Sequence, residues 1–243
     1  MPRVRGDKNW SPCLPCPAVS DKLAAMKKIA VILSGCGVLD GSEIHESVLT
    51  LLALDRVQAQ TICTAPAIAQ QQVVNHLTRQ ALPAETRNAL VEAARIARGK
   101  IVPLSELKAD HIDGVILPGG FGAAQTLCDF AVNAAAYTVH PEVSRFLLAA
   151  HQAGKPLGFI CIAPAIAARL FGPEKLEFTI GTDAPTATAL EAAGGRHIAC
   201  AVHNIVVDRR LKIVTTPAYM LANRITEAEA GINKLVAAVL DLA

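Results

Sequence analysis

Apolar positions recur along this chain at two alternating spacings. Ile29 to Leu33 is an unbroken apolar run, the pattern of a strand buried on both faces of a parallel sheet. Ser42 to Val57 then places Ile44, Val48, Leu51 and Leu52 at helical spacing. Gln60 to Thr64 reads as a second strand, and Glu85 to Arg98 as a helix stopped by Gly99. Gly114 to Leu117 predicts a third strand closed by Pro118, Gly119 and Gly120. Pro141 to Gln152 predicts a helix with Gly154 as its stop. Pro156 to Ile160 is a fourth strand running into Cys161, followed by a helix from Ala163 to Phe171. A strand over Phe178 to Gly181 and a helix over Thr186 to Ala193 continue the alternation. Ile205 to Val207 and Lys212 to Thr215 flank Asp208 to Leu211 as an edge hairpin. A closing helix, Tyr219 to Leu242, carries Leu221, Ile225, Ala228, Ile232, Leu235 and Val239 on one stripe. Such alternation predicts an α/β fold, a doubly wound, mostly parallel sheet with helices on both faces. No linker rich in Pro, Gly or Ser divides residues 26–243, which read as one domain.

Residues 1–25 break the pattern. They hold the only tryptophan, Trp10, four prolines, and four basic against two acidic residues, leaving nineteen of each sign in the rest of the chain. The segment lacks the apolar core of a signal peptide, and its prolines interrupt an amphipathic transit helix. It is expected to be a disordered or artefactual extension ahead of a start at Met26, without function.

Composition narrows the class. The chain has 243 residues, 52% apolar and 18% charged, which argues against disorder. A net charge of +2 leaves no basic surplus for nucleic acid. The longest apolar stretch, Pro156 to Ala168, stops at Arg169, short of the roughly 18 residues that span a bilayer, so no membrane partner is expected. Seven cysteines is an odd number, and Cys36, Cys63, Cys128, Cys161 and Cys200 are scattered singly, unlike a disulfide framework. A reducing, cytoplasmic compartment is expected. Cys13 and Cys16 form a C-x-x-C with no second pair or nearby His to complete a zinc site, and the histidines show no metal-binding spacing, so no metal is expected.

Ligands of open parallel sheets bind at the carboxyl ends of strands. Three such ends are unusual here: Ser34 to Gly37, Pro118 to Gly122, and Cys161 to Pro164. Cys161 sits at an abrupt strand-to-helix junction, the geometry of a nucleophile elbow, where a helix N-terminus stabilises a thiolate; the other reading is a small core residue. Gly119 and Gly120 either aim amides at a developing oxyanion, with the Ile162 N–H as the second donor, or form a tight turn. Glu43, His45 and Glu46 fall in the first turns of a helix, where carboxylates often only complement the dipole. Cys36, between two glycines, is either a second reactive thiol or structural.

The stretches Met26 to Glu46, Leu117 to Ala124, His151 to Pro164 and Val214 to Met220 resemble the ElbB group of bacterial glyoxalases, also described as isoprenoid-biosynthesis proteins with an amidotransferase-like domain. The resemblance spans essentially all of residues 26–243. It lies in the PfpI-type branch of the class I glutamine amidotransferase-like superfamily, with a flavodoxin-like sheet. It implies Cys161 as nucleophile, Glu46 as the acid sharing its proton, and the backbone of Gly120 and Ile162 as oxyanion donors. Gly119, Cys36, Glu43 and Thr182 are further pocket candidates. Many relatives carry a histidine beside the cysteine, from the loop after the next strand; that loop here is Gly181, Thr182 and Asp183, so reactivity rests on Glu46 and the helix dipole. The resemblance further implies a homodimer and a cofactor-free, glutathione-independent conversion of glyoxal, a small reactive aldehyde, to glycolate. Rival expectations are a glutaminase, which wants a His-x-Glu that neither His197 nor His203 begins, and repair of glycated amines or thiols. A low-activity or non-catalytic redox-sensing or isoprenoid-associated regulator using the same cysteine pocket is the other alternative.

Overall fold

A computed structural model describes residues 26–243, so the expectations for residues 1–25, Cys13 and Cys16 included, lie outside the described residues. The chain runs through β1 (Lys28–Ile32), α1 (Ile44–Arg56), β2 (Gln60–Ala65), β3 (Val74–Asn75), β4 (Gln80–Ala81), α2 (Ala89–Ile96), β5 (Ile101–Pro103) and β6 (Gly114–Leu117). It continues with α3 (Phe121–Gln125), α4 (Phe130–Asn133), α5 (Pro141–Gln152), β7 (Leu157–Ile160), α6 (Pro164–Phe171), β8 (Glu177–Phe178) and α7 (Ala184–Glu191). The last elements are β9 (Arg196–His197), β10 (Val206–Asp208), β11 (Ile213–Thr216) and α8 (Ile225–Leu242).

The main sheet has the order β10-β11-β7-β6-β1-β2-β5. Every neighbouring pair is parallel except β10 with β11, which forms the expected antiparallel edge. From β1 the chain builds outward through β2 to β5, then returns to the other side of β1 with β6. The order therefore reverses between β1 and β6, and the crevice above their carboxyl ends is where such sheets bind ligands.

Alternation along the strands decides which layer each side chain joins. Ile29 and Val31 of β1, Ile116 of β6 and Val214 of β11 face α1 and α8, where Leu49, Leu54, Ile232, Leu235 and Val239 close one core. Ala30, Ile32, Val115, Leu117, Leu157 and Phe159 face the other way, onto Phe146 and Leu147 of α5 and Ile166 of α6. Gly158 of β7 lets α8 sit close. A Cβ there would meet the Leu235 and Val239 side chains at 2.8 and 3.0 Å.

Several boundaries differ from expectation. The closing helix starts at Ile225, not Tyr219, because the Glu227 carboxylate accepts the amides of Asn223 and Arg224 at 2.9 and 3.2 Å and fixes the first turn there. Residues Ala218–Met220 form instead a single 3₁₀ turn. The second helix starts at Ala89, where the Asn88 side chain accepts the amides of Leu90 and Val91. The strand expected over Phe178 to Gly181 is only Glu177–Phe178, paired with β9 outside the main sheet. The short β5, the β3–β4 pair, α3 and α4 were not foreseen: each is too brief to show a period.

Candidate active site

Cys161 follows the last residue of β7, and its backbone is in the left-handed region at φ +63°. For a residue with a Cβ that conformation costs of order 1 kcal/mol. It is held by the Cys161 N–H, which donates to the Thr216 carbonyl of β11 at 2.9 Å, and by the Ala163 N–H, which donates to the Ile160 carbonyl at 3.0 Å. The sharp turn lifts the side chain out of the sheet into the crevice beside β6. Cys161 is 8% exposed, and that exposure opens into a cavity.

Glu46 reaches the same point from α1. Glu43 is the helix N-cap, its carboxylate accepting the Glu46 N–H at 2.6 Å, which sets Glu46 in the first turn facing inward. The Glu46 carboxyl is fully buried. Its Oε2 accepts the Gly119 N–H at 2.9 Å and its Oε1 accepts the Tyr219 N–H at 3.2 Å, and its charge acts on the Cys161 thiol. No side chain fits at Gly119. A Cβ there would lie 2.5 Å from the Cys161 Cβ and 2.9 Å from Glu46 Oε2. Gly120 has φ +92°, and its backbone and that of Ile162 lie close enough to the Cys161 thiol to favour its ionised form.

The electrostatics depart from expectation at one point. A helix N-terminus was expected to hold Cys161 as a thiolate. Burial instead pushes the thiol well above its ordinary range, reinforced by the charge of Glu46, and the Gly120 and Ile162 amides only partly oppose it. Burial and the neighbouring Glu43 push Glu46 up to about 8, against the amides of Tyr219 and Gly119. Two acids in one dry place keep a proton between them into the neutral range.

A cavity of about 380 Å³ opens over this pair. Glu43, Gly120, Cys161, Ile162 and Tyr219 line it together with Thr186 and a set of apolar residues. Of the residues singled out in the sequence, Cys161, Glu46, Gly119, Gly120, Ile162 and Glu43 therefore converge. Cys36 does not, a correction: its loop folds back through the Gly37 N–H to the Ser42 carbonyl at 2.9 Å, and its thiol faces Glu92 and Arg95 of α2. Burial and the Glu92 charge push that thiol up as well. Thr182 is also corrected. It is exposed, because Asp183 caps α7 and the cavity is met one turn later by Thr186. The residue that sequence reasoning missed is Tyr219, whose amide holds Glu46 and whose hydroxyl is bonded to His45 Nδ1 at 2.9 Å. Its place just beyond the carboxyl end of a strand was the available signal. Among the described residues, no three His, Cys, Asp or Glu side chains converge as metal ligands, and no helix is long and apolar enough to cross a membrane.

No family model matches the chain. It is 43% identical over 224 residues to the human glutamine amidotransferase-like class 1 domain-containing protein 3, mitochondrial, an alignment covering 88% of this chain and 83% of that protein. It is 42% identical over 224 residues to the rat ES1 protein homolog, mitochondrial, covering 88% and 84%. The crystal structure of an isoprenoid biosynthesis protein with amidotransferase-like domain from Ehrlichia chaffeensis superposes with a TM-score of 0.83 at 34% identity, over 89% of this chain and 99% of that one. A ThiJ/PfpI domain protein from Brachyspira murdochii shares the fold alone, with a TM-score of 0.53 at 16% identity over 89% and 98%.

Proposed function

The chain belongs to the class I glutamine amidotransferase-like family, and on that premise we propose that it is a cofactor-free, glutathione-independent glyoxalase converting glyoxal to glycolate. The observation that carries this reading is the arrangement at Cys161: a strained, cavity-facing thiol set beside one buried carboxyl and the backbone of Gly120 and Ile162.

The Cys161 sulfur adds to one formyl carbon as the thiol proton passes to Glu46. A carboxyl with a pKa of about 8 suits this transfer, because a general base works best near the ambient pH. The alkoxide of the hemithioacetal, on the carbon bonded to the sulfur, is stabilised by the neighbouring Gly120 and Ile162 amides. Glu46 returns the thiol proton to the hemithioacetal oxygen and, a carboxylate again, carries the proton of the attacked carbon to its neighbour, while the hydroxyl proton passes to the neighbour's oxygen. The attacked carbon is oxidised to the acyl level and its neighbour reduced to a carbinol, so no external redox partner is needed. Water cleaves the thioester and restores the thiol. The redox-sensing alternative has less support, since oxidation follows thiolate character and burial works against it here.

The test is glycolate formation from glyoxal by the purified protein. Cys161→Ala removes the nucleophile and is expected to abolish turnover while the circular dichroism spectrum stays native; Glu46→Gln is expected to lower turnover by about 100-fold or more. Undiminished turnover in Cys161→Ala refutes the proposal.

A further inference from the structure

We infer that the Tyr219 hydroxyl, held by His45, is a third catalytic group of this site and carries a proton between the two oxygens of the substrate. The inference rests on the glyoxalase reading and supplies a step that Cys161 and Glu46 leave open. Isomerising the hemithioacetal moves two protons, one from carbon to carbon and one from oxygen to oxygen. Glu46 handles the first. Both of its oxygens already accept backbone amides, from Gly119 and Tyr219, which leaves the second transfer to another group. The loop of Gly181, Thr182 and Asp183 offers no histidine for it. Two hydroxyl side chains line the cavity, those of Thr186 and Tyr219. Of these the phenol is by far the stronger acid.

Consecutive residues of α1 grip Tyr219 at both ends. Glu46 faces inward, and its Oε1 accepts the Tyr219 N–H at 3.2 Å. His45, one residue earlier and about 100° around the helix, places its Nδ1 2.9 Å from the Tyr219 hydroxyl. The two rings stand 5.8 Å apart, tilted by 47°. The phenol is thereby fixed beside the carboxyl that moves the carbon proton. With the ring proton on Nδ1, His45 donates to the phenol oxygen and leaves the phenol's own proton for the cavity. Burial and the charges of Glu43 and Glu46 push the phenol above its ordinary range, so it stays protonated and ready to donate.

The step balances. Glu46 takes the C–H proton of the sulfur-bearing carbon, the freed electron pair forms a C=C bond, and the neighbour's oxygen takes the phenol proton. Glu46 then protonates the neighbouring carbon with the electron pair of that double bond. The phenolate takes the hydroxyl proton of the first carbon, whose O–H pair closes the thioester carbonyl. Both groups end as they began.

The experiment measures glycolate formation from glyoxal by the purified protein and, separately, the rate at which iodoacetamide alkylates Cys161 with and without glyoxal. Tyr219→Phe keeps the ring and the backbone amide and removes only the hydroxyl. It is expected to lower kcat by about 100-fold. The alkylation rate and its suppression by glyoxal should stay as in wild type, since the thiol and its first addition do not need the phenol. His45→Ala is expected to lower kcat by about ten-fold, the loss of one hydrogen bond to the phenol oxygen. The double variant should be no slower than Tyr219→Phe alone, because His45 acts through the hydroxyl. Near-normal turnover by Tyr219→Phe overturns the inference. So does a slower turnover matched by slower alkylation, which marks a hydroxyl that only shapes the site, and so do additive losses in the double variant. In each of these cases an active wild type leaves the glyoxalase reading standing. A wild type that makes no glycolate sinks both.

Discussion

Replacing Glu46 by glutamine should remove a pH dependence that this carboxyl imposes on folding. Glu46 is fully buried, and burial with the nearby Glu43 raises its pKa from the ordinary 4.5 to about 8. An acid with a raised pKa in the folded state stabilises the fold only while protonated. That contribution is complete below about pH 4.5 and lost as the pH climbs through about 8. Between those limits stability falls by about 1.4 kcal/mol per pH unit, on the order of 5 kcal/mol in all. Glutamine stays neutral throughout. Its amide turns one donor toward the N–H of Gly119 or Tyr219, a pH-independent cost of about 1–3 kcal/mol. Cys161 titrates well above this window, so it does not enter the difference. Urea denaturation of both proteins at intervals from pH 4.5 to 8.5 reads the effect directly. The variant should be the weaker protein at pH 4.5 and the stronger near pH 8. Parallel stability curves, or a wild type that gains on the variant as pH rises, would show that the carboxyl ionises inside the fold without cost, and the argument from burial would fail.

The same structure sets three further outcomes. In wild type, kcat/KM for glyoxal should rise with pH through about 8, because Glu46 must be a carboxylate to accept the thiol proton; a flat profile between pH 6.5 and 9 counts against its role as base. Gly119→Ala places a Cβ against both Cys161 and Glu46 and should lower kcat/KM by about 100-fold with little change in the far-ultraviolet spectrum; near-normal kinetics would mean the pair tolerates displacement. Gly158→Ala pushes α8 off the sheet and should cost about 1–3 kcal/mol in urea denaturation; a variant as stable as wild type would show that Leu235 and Val239 repack freely.

The parts of this protein legible in its sequence are those that neighbours along the chain decide. Unbroken apolar runs such as Ile29 to Leu33 marked buried parallel strands, and these strands lie in the doubly wound sheet the alternation implied. A cysteine between Ile160 and a proline-led helix marked the elbow, and paired glycines after Leu117 marked a close approach. Glu46 was picked out by resemblance, since no local pattern separates it from Glu43. Tyr219 was hidden for a related reason: as a helix residue it has no visible task, and its task is an amide bonded to a carboxyl far away in the chain.

What only the tertiary structure decided is the state and surroundings of the thiol. From position alone, a helix N-terminus argues for a thiolate, and the Gly120 and Ile162 amides do pull that way. Assembling β1, β6, β7 and β11 side by side places Cys161 and Glu46 together in a dry crevice, and there desolvation outweighs the amides for both acids. Backbone preference travels with the sequence because it depends on adjacent residues. Desolvation depends on what the whole fold stacks around a group, so it came into being only with the packed sheet and its helices.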